Sequence, residues 1–407
     1  MVSGRLPESA GTPPVCHTRT RNVSLRPTPR ESDMTAEEIL ARLVAFASVV
    51  GQPNEAIVEW IANYAEGCGA RVTILPGPEG DRANLFATIG PAEMPGLILS
   101  GHMDVVPAGE PGWTTDPFAL RADGERLHGR GTSDMKGFLA CVLAALPALA
   151  ARPLARPIHL AFSYDEEAGC RGVRHLIEAL PQLCAKPQGC IVGEPSGMRA
   201  IRAHKGKAAA RIEIRGRSGH SSRPDQGLNA IHAMAAVLTE AVQSAEALKA
   251  GPLDANFAPP YSSLQIGVIG GGQALNIIPD FCAAEIEARA IAGVSPAALL
   301  APIQTAMAAL TAQGFEVSWE LLSEYPALSL ATEAPLASLL RDLTGQEPLA
   351  AVSYGTEAGL YQAAGIEAII CGPGDIARAH RPDEYIEIGE MAACQRMIED
   401  LGKRLHS

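Results

Sequence analysis

A chain of 407 residues is long for a single hydrophobic core, so two domains are the expectation. Only 4% of it is aromatic and its formal charge is −12, which argues against the stacking platform and the basic face that nucleic-acid binding uses. An acidic, globular enzyme acting on small molecules fits this composition.

Nine cysteines, odd in number, scattered and without a CxxC pair, point to a reducing cytoplasmic compartment rather than a disulfide framework. No uninterrupted apolar stretch reaches the roughly 20 residues that span a bilayer. The best candidate, 137–151, is Ala-rich, contains Pro147 and meets Arg152, and reads as a buried helix.

Residues 1–33 hold five Arg, no Lys and several Pro and Ser/Thr, with no apolar run of a secretory signal. Arg-rich and acid-poor like a transit peptide but too rich in proline for an amphipathic helix, they read as a disordered extension or the product of an upstream start site, with Met34 beginning the folded protein. Thr35 and Glu38 then make a capping box for a helical pattern that runs to about Gly69. Short strands are expected over 71–75, 84–89 and 96–100, a helix over 138–150, a strand over 158–164, a helix over 173–180 and a strand over 189–193. Alternating strands and helices imply an α/β fold with a mostly parallel sheet flanked by helices.

From 207 to 323 the order changes to strand 209–215, helix 227–248, strands 262–269 and 283–290, helix 296–313 and strand 316–322. This βαββαβ order is that of a ferredoxin-like α+β sandwich. The segment therefore reads as an insertion, leaving 34–206 and 324–407 as the catalytic domain.

The chemistry gathers in glycine-rich turns that follow apolar runs: His102 in SGHMDVVP, Asp134 in GRGTSDMKG, Glu167 in DEEAG, Glu194 in GEPS and His380 in GPGDIARAH. His102, Glu167, Glu194 and His380 each follow an expected strand, at the edge where open α/β sheets build their sites. Two imidazoles and three carboxylates can hold two divalent ions if one carboxylate bridges them, and a donor set of N and O favours zinc, cobalt or manganese. Asp104, two residues after His102, can take the second ring N–H of a ligating imidazole. Asp134 sits ahead of a helix, where a short carboxylate can present both oxygens. Glu166 and Glu167 are adjacent, which suggests one ligand and one general base. His220 in GRSGHSS reads alone as a surface histidine, and Asn276 and Arg289 are equally ordinary. The GGG at 270–272 lacks a Walker Lys-Ser/Thr and any dinucleotide context.

Taken together, SGHMDVVP, GRGTSDMKG, DEEAG, GEPS, GRSGHSS and GPG…AHRPDE resemble the dizinc amidohydrolase and metallopeptidase family that includes acetylornithine deacetylases, succinyl-diaminopimelate desuccinylases and aminoacylases. The resemblance covers nearly everything after Met34. It implies two Zn2+ per subunit, replaceable by Co2+ or Mn2+, with His102, Asp134 and Glu194 at one ion and Asp134, Glu167 and His380 at the other. It implies Glu166 as the base and Asp104 as the acid behind His102. It also implies a lid and dimerisation role for 207–323, with His220 reaching the neighbouring subunit's site and Asn276 and Arg289 binding substrate.

RAHKG at 202–206, YGTEAGL at 354–360 and GPGDIARAHRPDEY look most like the acetylornithine deacetylases, which implies deacetylation of N-acetyl-L-ornithine in arginine biosynthesis. Glu357 is expected to favour a cationic side chain, and Gly359 stands where desuccinylases tend to place an Arg. The alternatives are a related N-acyl amino acid deacylase, desuccinylase or dipeptidase and, in a different class, a non-catalytic binding protein on this fold. Expected partners are a small N-acyl amino acid and a second copy of the chain, with no nucleic acid and no membrane.

Overall fold

The computed structural model describes residues 34–406; the expectation of a disordered 1–33 lies outside the described residues. The chain opens with α1 (Ala36–Ala45) and α2 (Glu55–Gly67). The capping box forms, with the Glu38 amide donating to Thr35 Oγ1 at 3.2 Å and the Thr35 amide donating to Glu38 Oε2 at 2.9 Å. The single helical stretch expected to Gly69 is broken in two. Pro53 supplies no N–H and disfavours a helical residue before it, and Gly51 adopts a left-handed φ of +78°. The break has a use: the Gly51 amide donates to Asp165 Oδ1 at 2.8 Å, beside the Glu166–Glu167 pair.

There follow β1 (Arg71–Pro76), β2 (Ala83–Ile89), β3 (Leu97–His102), the short β4 (Arg121–Asp123) and β5 (Arg126–His128), α3 (Gly137–Ala150), β6 (Ile158–Ser163), α4 (Arg171–Leu183) and β7 (Gly189–Pro195). The main sheet has the order β1-β2-β6-β3-β7 and is completed by a late strand after residue 367. Alternation along its strands decides which layer each side chain enters. Leu97, Leu99, Leu160 and Phe162 join the core built with α1 and α3, whereas Ile98 and Ala161 face the opposite layer, which holds Val173 and Leu176 of α4. All are buried, so truncating Leu99 to Ala would cost about 2–5 kcal/mol. With the turn before it, α3 is apolar and long enough to span a membrane by length and composition, yet 78% of that stretch is buried inside the protein.

The insertion begins after β8 (Ala203–His204). It runs through β9 (Gly206–Arg215), β10 (Gly219–His220), α5 (Ala230–Leu248), β11 (Ser263–Gly271), β12 (Ile277–Ile278), β13 (Phe281–Ala290), α6 (Ala301–Thr311) and β14 (Glu316–Tyr325). Its antiparallel sheet has the order β11-β13-β9-β14, the ferredoxin-like arrangement expected from βαββαβ. Ile212, Ile286, Val237 and Ile303 share a core separate from the two layers of the main sheet. The helix expected over 296–313 starts as a 3₁₀ turn at Ala297–Leu300, with Pro302 inside the first turn of α6.

The chain returns through β15 (Leu328–Ser329), α7 (Pro335–Thr344), α8 (Ala358–Ala363), β16 (Ala368–Gly372), β17 (Tyr385–Glu387) and α9 (Ile388–Leu405). β16 pairs parallel with β7, as β3 does with both β6 and β7. Within the main sheet β2 alone runs against the others, pairing antiparallel with both β1 and β6. The parallel strands lead into four of the five candidate ligands, Asp134 being the exception.

Candidate metal centre

Four of the five candidate ligands are set by the end of a parallel strand or the segment beyond it. His102 closes β3, Glu166 and Glu167 follow β6, Glu194 lies near the end of β7, and His380 sits beyond β16. Asp134 comes from the turn before α3, where its backbone is extended at φ −125° and ψ 93°. It is not a helix cap, because α3 begins only at Gly137 and its N-cap makes no side-chain bond. Gly131, at φ +80°, lets that turn press on Val105, since a Cβ there would lie 2.5 Å from Val105 Cγ1.

The strand ends bring the side chains together. His102 Nε2 lies 3.1 Å from Asp134 Oδ1 and 3.9 Å from Glu194 Oε1. His380 Nε2 lies 3.3 Å from Asp134 Oδ2 and 3.0 Å from Glu167 Oε1. Donor atoms of His102, Asp134 and Glu167 fall within 4.8 Å of one another, as do those of His102, Glu166 and Glu194. The second triple includes Glu166, so proximity alone does not separate a ligand from a base.

Asp104 is adjacent to His102 but in a different way from that expected. The Asp104 carbonyl oxygen is 2.9 Å from His102 Nδ1, whereas its carboxylate is 3.6 Å away. With Nδ1 donating its proton to that carbonyl, Nε2 is the nitrogen that faces Asp134: protonated it donates to the carboxylate, and with that proton displaced it would offer its lone pair to a metal. The Asp104 carboxylate instead accepts the amides of Glu166 and Glu167 at 3.1 and 3.2 Å. It therefore fixes the turn that presents both glutamates.

The acids are crowded and largely out of water. Burial pushes Glu166 up to about 8, and its neighbours Glu167, Glu357 and Asp104 add to the rise against the opposing pull of His102. Burial lifts Asp104 to about 7 and Glu194 well above the usual carboxylate range. Burial alone would depress the His102 imidazole, but its Asp134 hydrogen bond and the charges of Asp104 and Glu194 raise it well above its ordinary value. Hydrogen bonds to Asp134 and Glu167 lift His380 to about 10. Buried carboxylates that repel one another and hold protons tightly are a site short of positive charge. Their N and O donors fit a divalent ion such as zinc, which would replace those protons.

The remaining sequence candidates are not in this cluster. His220 is exposed on β10 and bonds Ser222 Oγ at 2.7 Å through Nδ1. Asn276 is exposed beside it, its carbonyl accepting the Ser221 amide at 3.0 Å. Arg289 on β13 donates to Glu287 Oε1 at 2.6 Å and to the Tyr325 hydroxyl at 3.2 Å.

Glu357 corrects an expectation. Its carboxylate is 1% exposed and accepts the Ser100 and Ser163 hydroxyls at 2.5 and 2.8 Å, beneath the strand ends. At the start of α8 it points inward against β3 and β6 rather than lying exposed. A Cβ at Gly359 would lie 2.2 Å from the Pro326 carbonyl oxygen, so close packing against that backbone leaves no room for a side chain at that position.

Sequence reading missed three buried groups. Lys136 donates to the carbonyls of Leu43 and Phe46 at 3.0 and 2.7 Å, tying the Asp134 turn to the end of α1. Burial lowers its ammonium to about 7. Arg130 and Glu384 form a buried ion pair at 3.0 Å behind Asp134. All three lie inside the quoted motifs, but local spacing does not distinguish them from exposed neighbours such as Asp123.

Comparison with known proteins agrees with this architecture. Residues 98–404 match peptidase family M20/M25/M40. The chain is 34% identical to an acetylornithine deacetylase of Proteus mirabilis (strain HI4320) over 373 residues, covering 89% of this chain and 95% of the relative. An acetylornithine deacetylase of Klebsiella pneumoniae (strain 342) is also 34% identical, with 89% and 96% covered. Among solved structures, an M20 family metallo-carboxypeptidase of Sulfolobus solfataricus superposes with a TM-score of 0.73 at 17% identity, covering 89% of this chain and 97% of that one. A tripeptidase of Staphylococcus aureus gives a TM-score of 0.70 at 19% identity, covering 92% and 98%. The chain belongs to peptidase family M20/M25/M40.

Proposed function

We propose that this hydrolase is a zinc-dependent amidohydrolase that cleaves N-acetyl-L-ornithine to L-ornithine and acetate, in the cytoplasm and as a step of arginine biosynthesis. The observation that carries the reading is the convergence of His102, Asp134, Glu167, Glu194 and His380 at one sheet edge, joined to the names of the relatives at 34% identity. His102, Asp134 and Glu194 would hold one ion, and Asp134, Glu167 and His380 the other. Such ions supply Lewis acidity toward an amide carbonyl and toward water.

The protein's own groups then manage protons and position. Glu166, tethered by Asp104 through its backbone amide, takes the proton of the attacking water and returns it to the departing amine. Arg289 keeps N–H groups beyond those given to Glu287 and Tyr325, and these suit the substrate carboxylate. His220 pairs with Ile277 in the β10–β12 ladder and Asn276 immediately precedes β12, and we assign both to the neighbouring subunit's substrate.

Residues 207–323 then serve as lid and dimerisation domain, and 34–206 with 324–407 as the catalytic domain. In support, Val268 and Ile269 on the edge strand β11 are more than half exposed, a surface that a two-fold partner can cover.

Amine release from N-acetyl-ornithine, N-succinyl-diaminopimelate and dipeptides, with added zinc or cobalt, tests the reading. The highest kcat/KM is expected on N-acetyl-ornithine. A higher value on the succinylated substrate or a dipeptide overturns the substrate, and full turnover by metal-free protein overturns the chemistry.

A further inference from the structure

Two loops distant in sequence supply Asp134 and His380, and one buried carboxylate joins them. Glu384 Oε1 accepts the backbone amides of Ser133 and Asp134 at 2.9 and 3.1 Å. Its other oxygen, Oε2, accepts Arg130 Nη1 at 3.0 Å. Both side chains of that pair are 1% exposed. Arg130 extends the tie, donating to the carbonyls of Arg381 and Pro107 at 3.3 and 3.2 Å and pairing with Glu110. Ser133 adds a further link, its hydroxyl donating to the Asp375 carbonyl at 3.2 Å and accepting the Asp375 amide at 3.1 Å.

The metal residues themselves do not require such an arrangement. A carboxylate is a costly group to bury, and the cost is offset where both its oxygens are hydrogen-bonded. Here they are used on the amide of Asp134 itself, from a position four residues beyond His380. We propose that Glu384, held by Arg130, is a positioning residue that sets the spacing of the Asp134 and His380 loops and so the affinity for divalent metal. The inference rests on the metal site of the proposed function. It assigns Glu384 no contact with substrate.

The test is metal binding by the folded, chelator-stripped full chain. Cobalt is titrated against a competing chelator, at a temperature where circular dichroism shows every protein fully folded. A gain or loss of global stability does not then alter the affinity that is read. Glu384→Gln offers one carbonyl oxygen and an NH2 that faces Arg130 badly, so it cannot serve both the amides and the guanidinium. It should weaken at least one cobalt-binding step by about 10- to 100-fold, the range seen when a group behind a metal ligand is lost.

Glu384→Asp keeps the charge for Arg130 but shortens the reach to the Asp134 amide. It should weaken binding in the same direction, and it decides the matter if Glu384→Gln does not fold. Wild-type affinity for two ions in the folded variants overturns the inference and leaves the proposed function intact. A wild-type protein that binds no divalent ion overturns both.

Discussion

Asp134 divides its carboxylate between two histidines that lie far apart in the chain: Oδ1 is 3.1 Å from His102 Nε2 and Oδ2 is 3.3 Å from His380 Nε2. Burial would raise this acid, but its hydrogen bonds to His102 and His380 hold it well below the usual carboxylate range. It is held ionised while burial raises Glu166, Asp104 and Glu194 around it.

Asp134→Asn should therefore do more than remove a charge. Asn has a single acceptor oxygen and presents an NH2 to the other imidazole. Metal analysis after desalting should show fewer than two ions, with affinity reduced by more than the roughly 10- to 100-fold typical of groups behind a ligand. Two ions held at wild-type affinity would mean that Asp134 is not shared.

The adjacent glutamates should separate by phenotype. Glu166→Gln is expected to keep its metal while turnover falls by at least about 10²-fold, the usual scale for a general base. Glu167→Gln should instead lose metal, because its carboxylate faces His380 at 3.0 Å. The opposite pattern would exchange the two roles, which the placement of Glu166 near His102 and Glu194 leaves open to test.

Metal-free protein should lose stability as pH rises from about 6.5 to 8. In that window Glu166, raised to about 8, and Asp104 and Glu384, raised to about 7, keep protons in the folded state that an unfolded chain has released. A raised folded value gives stability present at low pH and lost as pH climbs through it. His380, raised to about 10, adds to the trend, while Lys136, lowered to about 7, and His159 and His204, lowered to about 4, oppose it. Thermal melts of stripped protein across this window should fall, and added zinc should raise the melting temperature more at pH 8 than at pH 6.5. A flat or rising profile without metal would contradict the charge balance described for the site.

His220 is exposed and outside the metal cluster, so its proposed role needs a second subunit. Mixing inactive His220→Ala with inactive Glu166→Gln should restore activity after subunit exchange, to about half of wild type per heterodimer if a two-fold dimer has independent sites. Verified heterodimers without activity would place His220 in its own subunit's site or outside the reaction.

Much of the fold could be read along the chain because its signals are local. The Thr35–Glu38 capping box, the buried strand Ile158–Ser163 and the βαββαβ order of the insertion depend on neighbours a few residues apart. The long initial helix misled because periodicity continued across Pro53, where backbone geometry did not. The segments bearing His102, Asp134, Glu167, Glu194 and His380 could be read for a related reason. Strand-then-turn patterns reveal which residues reach the sheet edge.

By itself the sequence determined the alternating α/β frame, the inserted sandwich and the set of nitrogen and oxygen donors at the strand ends. Tertiary structure decided which way those donors and their neighbours face. It gave His102 the carbonyl rather than the carboxylate of Asp104, and it turned Glu357 inward onto Ser100 and Ser163. It also buried Arg130 with Glu384, although Asp383, one residue away, bonds exposed Thr114. A periodic pattern records the burial of a strand or helix face, whereas the partner of a particular polar atom is fixed by long-range packing. Residues 130 and 384 meet only because β5 and β17 pair.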